Sequence, residues 1–302
     1  MYIGEFAAIG TAVFWAFSSL FFTLGGNRVG AECVNLVRLY FGLLFIVIVQ
    51  IYTTGQPTQW SVESWRHLVL FASAFVGLVI GDAALFYSFL LIGPRLAMLV
   101  MSTVPVFSAI FALLCFGEAL NFVEGMAILA AIVAIGYVVA EDRRSKTRET
   151  EQTSNHFKGV MFALVGALGQ TGNLIITKYA LVDDFSTLTA TQIRIFYSIV
   201  ILTLWAICRG QLGTVVRKLA DLKATLFIAV GALVGPFIGI WLSYIAINNT
   251  KIAIASVIMA LPPVLLIPIA WYWLGEKATR RSIIGTLLAV IAIGVLLVVK
   301  SS

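Results

Sequence analysis

The sequence predicts an all-α integral membrane protein of ten transmembrane helices, arranged as two inverted five-helix repeats. Three observations predict it: the composition, ten apolar runs of membrane-spanning length, and a set of small and unusual residues that recurs at one offset. Of 302 residues, 61% are apolar and 11% charged, with mean hydropathy +1.02. Soluble domains run at roughly 45–50% apolar and about 25% charged, because a globule must cover itself with polar surface. Soluble enzymes, DNA-binding modules, secreted disulfide scaffolds and disordered chains are therefore excluded. The net charge of +6 fits basic cytoplasmic loops rather than a nucleic-acid partner.

A hydrocarbon core about 30 Å thick needs about 20 helical residues. On that ruler spans fall at 5–24, 33–52, 67–92, 95–116, 121–140, 158–180, 189–208, 223–247, 251–274 and 282–300. The first has no basic leader and no small-residue cleavage site, so it is expected to stay as a helix. Only Gly93-Pro94 parts the third span from the fourth, which predicts a tight hairpin. No span alternates as a strand would, leaving helices as the way to satisfy the backbone in lipid. The chain divides into a first repeat at 1–140, a charged linker at 141–157 and a second repeat at 158–302.

Basic residues sort by side. Fourteen of the twenty Lys and Arg fall on one side, four on the other, and Arg38 and Arg194 lie inside spans. The positive-inside rule then places the linker in the cytoplasm and both termini outside a multi-pass plasma (inner) membrane protein. Cys33, Cys115 and Cys208 form no CxxC pair and read as small hydrophobes. His67 and His156 offer no metal-ligand spacing, and no nucleotide- or zinc-binding motif is present, so neither metal nor cofactor is expected.

The repeat is legible residue by residue. GEFAAIGTAVFWAFSSLFF from Gly4 lies against GVMFALVGALGQTGNLIIT from Gly159, and NLVRLYF against TQIRIFY, pairing Arg38 with Arg194. An offset of 158 then pairs Gly77 with Gly235, Gly81 with Gly239, Pro105 with Pro263, Gly117 with Gly275, Glu118 with Glu276 and Gly136 with Gly294. Five helices is an odd number, so the second copy enters the membrane inverted, the architecture of many secondary transporters.

The run from Leu90 to Val139, with its small residues, mid-helix Pro105 and closing Gly117-Glu118, resembles the signature of the EamA-type drug/metabolite transporter superfamily. The run from Ile245 to Val299 is its second copy. The resemblance covers nearly the whole chain and implies a ten-helix carrier with a central cavity, typically an exporter of amino acids or other metabolites.

Polar side chains inside spans are costly and mark candidate sites. Asp82, the one acidic residue deep in a span, is the candidate for proton coupling; the alternative is a packing role, and its counterpart is Ile240. Arg38 and Arg194 sit about five residues inside their spans. They either snorkel to headgroups or hold a substrate anion, a task to which the guanidinium fork is suited. Trp15, Ser18 and Phe22 share a helix face with the spacing of Gln170, Asn173 and Thr177, a stripe suited to a cavity wall or to helix–helix contact. Ser102 beside Met98, Met101 and Pro105, the matching face of Ser256, Met259, Ala260 and Pro263, and Trp241 and Tyr244 complete the candidate lining. Gly77-x3-Gly81, Gly231-x3-Gly235 and Gly235-x3-Gly239 read as close-approach faces.

The functional expectation is a secondary transporter, not an enzyme. It exports small metabolites, amino acids or related carboxylates first, by alternating access coupled to protons. A carrier of lipophilic cations using Asp82 is the alternative, and a membrane enzyme acting on a lipid-linked substrate stands behind both. The partners expected are a small-molecule substrate and the bilayer, with monomer and homodimer both open.

Overall fold

The computed structural model describes residues 2–58, 60–101, 103–118 and 153–262, with scattered positions in 121–133 and 264–288. Most of the predicted fifth and tenth spans and of the linker, and Ser102, Pro263, Gly275 and Glu276, lie outside the described residues. The described chain is helical: α1 (Ile3–Val29), α2 (Ala31–Thr54), α3 (Ser64–Ala74), a π-helical turn π1 (Phe75–Gly81), α4 (Asp82–Met101), α5 (Val104–Phe116), α6 (Thr153–Ala180), α7 (Thr187–Cys208), α8 (Leu212–Lys218), α9 (Leu222–Ala232), a second π-helical turn π2 (Leu233–Gly239), α10 (Ile240–Asn249) and α11 (Ile252–Met259). Among the described residues six stretches are long and apolar enough to cross a membrane: Ile3–Val29, Ala31–Thr54, Ser64–Ile92, Phe157–Ala180, Thr187–Cys208 and Leu222–Asn249. Each contains or nearly matches a span placed from the sequence. Their outward faces carry Phe6, Ile48, Leu68, Leu168 and Leu226, the apolar surface that lipid solvates.

Local chemistry sets several helix ends. Ser186 Oγ accepts from Thr189 N at 3.3 Å to start α7, and Asp221 Oδ1 accepts from Ala224 N at 3.1 Å to start α9. Gly117 ends α5 in the left-handed region at φ 64, where glycine carries no Cβ penalty. The short α8, which the periodicity leaves as loop, ties one end of the bundle together. Lys218 Nζ donates to Val29 O at 2.6 Å at the carboxyl end of α1, and Arg28 Nε donates to Asp221 Oδ2 at 2.7 Å. The Arg28 hydrogen bond holds the Asp221 carboxyl below the usual carboxylate range.

Both predicted fourth spans are broken, and at matching positions. α4 stops at Met101 and α5 begins at Val104, with Pro105 in its first turn where no N–H is needed. In the second half α11 stops at Met259, 158 residues after Met101, and Pro262 and Pro263 follow. The sequence predicts one Pro-bent helix at each place; the structure has two helical pieces in the first half and a helix end in the second. The Gly93-Pro94 hairpin also takes a different form, because helical structure runs through both residues. The corresponding place in the second half is an open break at Thr250, extended at φ −148 and ψ 169.

The two π-helical turns occupy Phe75–Gly81 and Leu233–Gly239, related by the same offset of 158. The packing repeats with them, crosswise. α1 of the first half lies on π2 of the second: Phe22 meets Gly231, Ser18 meets Gly235 and Trp15 meets Gly239. α6 lies on π1 of the first half: Thr177 meets Ser73, Asn173 meets Gly77, and Gly169 meets Gly81. The glycines are there for approach. A Cβ on Gly169 would lie 2.6 Å from Gly81 Cα and 2.9 Å from Val76 O, with backbone on both sides and no flexible end to move.

This contact makes a direct prediction. Gly169→Ala forces α6 off π1 and is expected to cost about 2 kcal/mol or more, seen as a lowered unfolding temperature in detergent. Gly213→Ala, which meets nothing within 4 Å, is expected to leave that temperature unchanged or raise it.

Candidate functional site

The breaks in the fourth spans converge on an internal cavity of about 80 Å³. Met98 and Met101 come from the end of α4, Val104 from the start of α5, and Ser256, Met259, Ala260 and Pro262 from α11 and the residues after it. Trp15, Thr11 and Ser19 enter from α1, and Gln170 and Leu174 from α6. Asp82, Leu85 and Phe89 enter from the first turns of α4, directly after π1. Interrupted helices at this depth are tolerated only where they line a cavity or are packed in protein, because lipid cannot satisfy the freed N–H and C=O groups.

Asp82 brings the one charged side chain of the described lining. Its Oδ2 accepts from Arg38 Nη2 at 2.5 Å. Arg38 lies wholly inside the protein, so it does not snorkel. Asn35 Oδ1 accepts from its Nη2 at 2.8 Å and from its Nε at 3.2 Å, one turn back on α2. The guanidinium lies 4.9 Å from the Phe86 ring centroid and 5.8 Å from that of Phe22, whose rings meet edge to face. The carboxylate is thus paired, oriented and partly open to the cavity, while its cation stands behind it.

Arg194, the repeat counterpart, has a different setting. It too is fully buried, but Ile240 stands where a second Asp82 would be. Its guanidinium lies 5.0 Å from the Tyr244 ring centroid, and Nη2 donates to Ser73 O at 3.3 Å. Nε and Nη1 have no hydrogen-bond partner among the described residues. Gly77 makes this arrangement fit: a Cβ there would lie 3.3 Å from Arg194 Nη2.

The remaining candidates divide. Trp15 and Gln170, equivalent in the repeat, both reach the cavity. Ser18 does not; it is buried and donates to Gly231 O at 2.9 Å. Asn173 is the centre of a buried network. Its Oδ1 accepts from Tyr244 OH at 3.1 Å, from Ser73 Oγ at 3.3 Å and from Thr177 Oγ1 at 3.3 Å, while its Nδ2 donates to Gln170 Oε1 at 3.3 Å. The polar stripe of α6 therefore serves both uses weighed for it, helix contact along most of its length and cavity wall at Gln170. Trp241 lines a separate, larger surface cavity of about 450 Å³ and donates from Nε1 to Thr187 Oγ1 at 3.2 Å. Ser102 lies outside the described residues. Glu118 is a contact the sequence analysis places only at a span end. It pairs with Lys178, and its Oε2 accepts from Ile252 N at 3.0 Å at the start of α11.

A helical membrane bundle with duplicated halves and a cavity at its interrupted helices is the build of a carrier. The chain belongs to the EamA-like transporter family, whose model matches residues 2–140 and again 157–298. One solved structure, described only as the crystal structure of a protein, is similar at TM-score 0.71 and 15% identity, covering 98% of this chain and 96% of its own. That likeness shows a shared fold. Among curated protein sequences none matches. The protein is a multi-pass membrane protein of a transporter family.

The pairing of Asp82 predicts a coupling energy. Arg38→Met strips the cation from a buried carboxylate and is expected to cost about 3–5 kcal/mol, the usual consequence of breaking a buried pair from one side. The double variant Arg38→Met with Asp82→Leu is expected to recover most of that loss in thermal unfolding. Additive losses would mean that the two side chains do not support one another.

Proposed function

We propose that this chain is a secondary active exporter of small metabolites, amino acids first, built as ten helices in two inverted repeats and working by alternating access. One observation carries the proposal: Asp82, paired with Arg38 behind it, stands in the wall of a cavity whose described lining is mostly apolar, Trp15, Leu85, Phe89, Met98, Met101 and Met259 among it, with Gln170 and Ser256 as polar members. An amino acid is an ammonium, a carboxylate and a variable side chain. Its ammonium meets Asp82, its carboxylate meets the guanidinium so released, and the Met and aromatic walls accept side chains of differing shape. Arg194, with two nitrogens unpartnered among the described residues, supplies a second anion contact on the path.

Coupling to protons follows from the same pair. A carboxylate that exchanges between Arg38, a proton and the substrate ammonium makes binding depend on protonation, which ties the gradient to the face that is open. The interrupted fourth spans give the moving parts, and the crosswise packing of α1 on π2 and of α6 on π1 defines two bundles that rock against one another. The charge distribution supports termini outside a plasma membrane and the linker in the cytoplasm. A reporter fused after Ser302 is then external, and one placed within 143–148 cytoplasmic.

A second proposal has its own support. Asp82 faces the cavity and Arg38 lies behind it, so an organic cation meets the carboxylate first. Uptake of labelled amino acids and of a lipophilic cation by inverted vesicles, with and without an imposed pH gradient, separates the two. Amino acid export predicts gradient-driven accumulation of one or more amino acids. It is abolished by Arg38→Ala, partly kept by Arg38→Lys, and reduced to exchange without accumulation by Asp82→Asn. Accumulation of the cation alone, insensitive to Arg194→Ala, would overturn the amino acid reading in favour of the second.

A further inference from the structure

We propose a second small-molecule site outside the central cavity, a surface vestibule that selects a primary ammonium group. It is the cavity of about 450 Å³ between the carboxyl ends of α2 and α10 and the loop that leads into α7. Its floor holds Gln50, wholly buried, whose Oε1 has no hydrogen-bond partner among the described residues. An unsatisfied buried acceptor carries a standing cost that a donor-bearing ligand removes.

The polarity of the vestibule follows from counting which protons are already committed. Thr53 and Thr54 donate back to Val49 O at 2.9 Å and Gln50 O at 2.8 Å, so their hydroxyl oxygens are left as acceptors. Trp241 gives its one N–H to Thr187 Oγ1 at 3.2 Å, and Asn249 Nδ2 donates to Ile245 O at 2.8 Å. Asp184 adds an exposed carboxylate that no described cation pairs, and no lysine or arginine is part of the described lining. Two helices end here, at Thr54 and Asn249, and their carboxyl ends favour positive charge. Trp241 offers an aromatic wall beside these acceptors, stacked with Phe237 at 6.1 Å. An unpartnered buried amide oxygen, one free carboxylate, two helix carboxyl ends and an indole describe a receptor for an ammonium attached to a small apolar body. The site is independent of the central ion pair.

The test uses the full-length protein in detergent, carrying Asp82→Asn so that the central carboxylate does not contribute, and titrates three probes of one size: phenethylamine, phenethyl alcohol and phenylacetate. Calorimetry is expected to show saturable one-to-one binding of phenethylamine, with the alcohol and the acid at least tenfold weaker. Asp184→Asn and Gln50→Leu are each expected to weaken phenethylamine tenfold or more. Asp184 sits at φ 53, a left-handed conformation that asparagine also adopts, so that variant keeps the backbone intact. Equal binding of the three probes, absence of saturable binding, or full affinity in both vestibule variants would each overturn the proposal.

Discussion

A guanidinium and a carboxylate at 2.5 Å inside an apolar bundle are the interaction around which the site is organised. Neither charge survives burial alone: removing one partner leaves the other uncompensated where water does not reach. Much of the first half is arranged to keep the pair intact. Asn35 fixes the guanidinium from one turn back on α2, Phe22 and Phe86 border it, and π1 delivers Asp82 to the cavity edge. The pair is held on one side and open on the other, which is the geometry needed for a ligand to compete with it.

Duplication supplies the scaffold, and departures from duplication supply the chemistry. The π-helical turns, the ends of α4 and α11, and the glycine contacts under α1 and α6 recur at one register. A π-helical turn adds one residue to the helical count and shifts the face presented after it, a feature common at functional sites. The residue that follows the turn is Asp82 in the first half and Ile240 in the second. Arg194 therefore faces Tyr244 and the Ser73 carbonyl in place of a carboxylate; Nη1 lacks a partner among the described residues in both arginines, and Nε, which Arg38 gives to Asn35, lacks one in Arg194. The two equivalent arginines therefore stand in unequal surroundings.

Much of this was legible in the residues, and the rest was hidden for physical reasons. Apolar length located the spans because the bilayer fixes it, and Gly77, Gly81, Gly235 and Gly239 marked the close contacts because a Cβ at each would crowd the facing helix. Trp15, Gln170, Met98, Met101, Ser256 and Met259 could be assigned to the cavity from helix faces alone. The Arg38–Asp82 contact could not, since it joins residues 44 apart on different helices and no periodicity encodes it. Nor could the π-helical turns, because an extra residue in a helix leaves no mark on composition. Ser18 and Asn173 show the limit of a polar stripe: the same residue types serve a cavity or a glycine-lined neighbour, and only the partner helix decides.

The central claim is that the cavity between the interrupted fourth spans opens in turn to each side of the membrane. Met101→Cys and Met259→Cys, each in a background with Cys33, Cys115 and Cys208 replaced by alanine, report on it directly. Each is labelled with a membrane-impermeant thiol reagent in right-side-out and inverted vesicles. Alternating access predicts that both positions react, and that reversing an imposed pH gradient shifts the reactive side for both together. No labelling from either side, or labelling fixed to one side whatever the gradient, would contradict it.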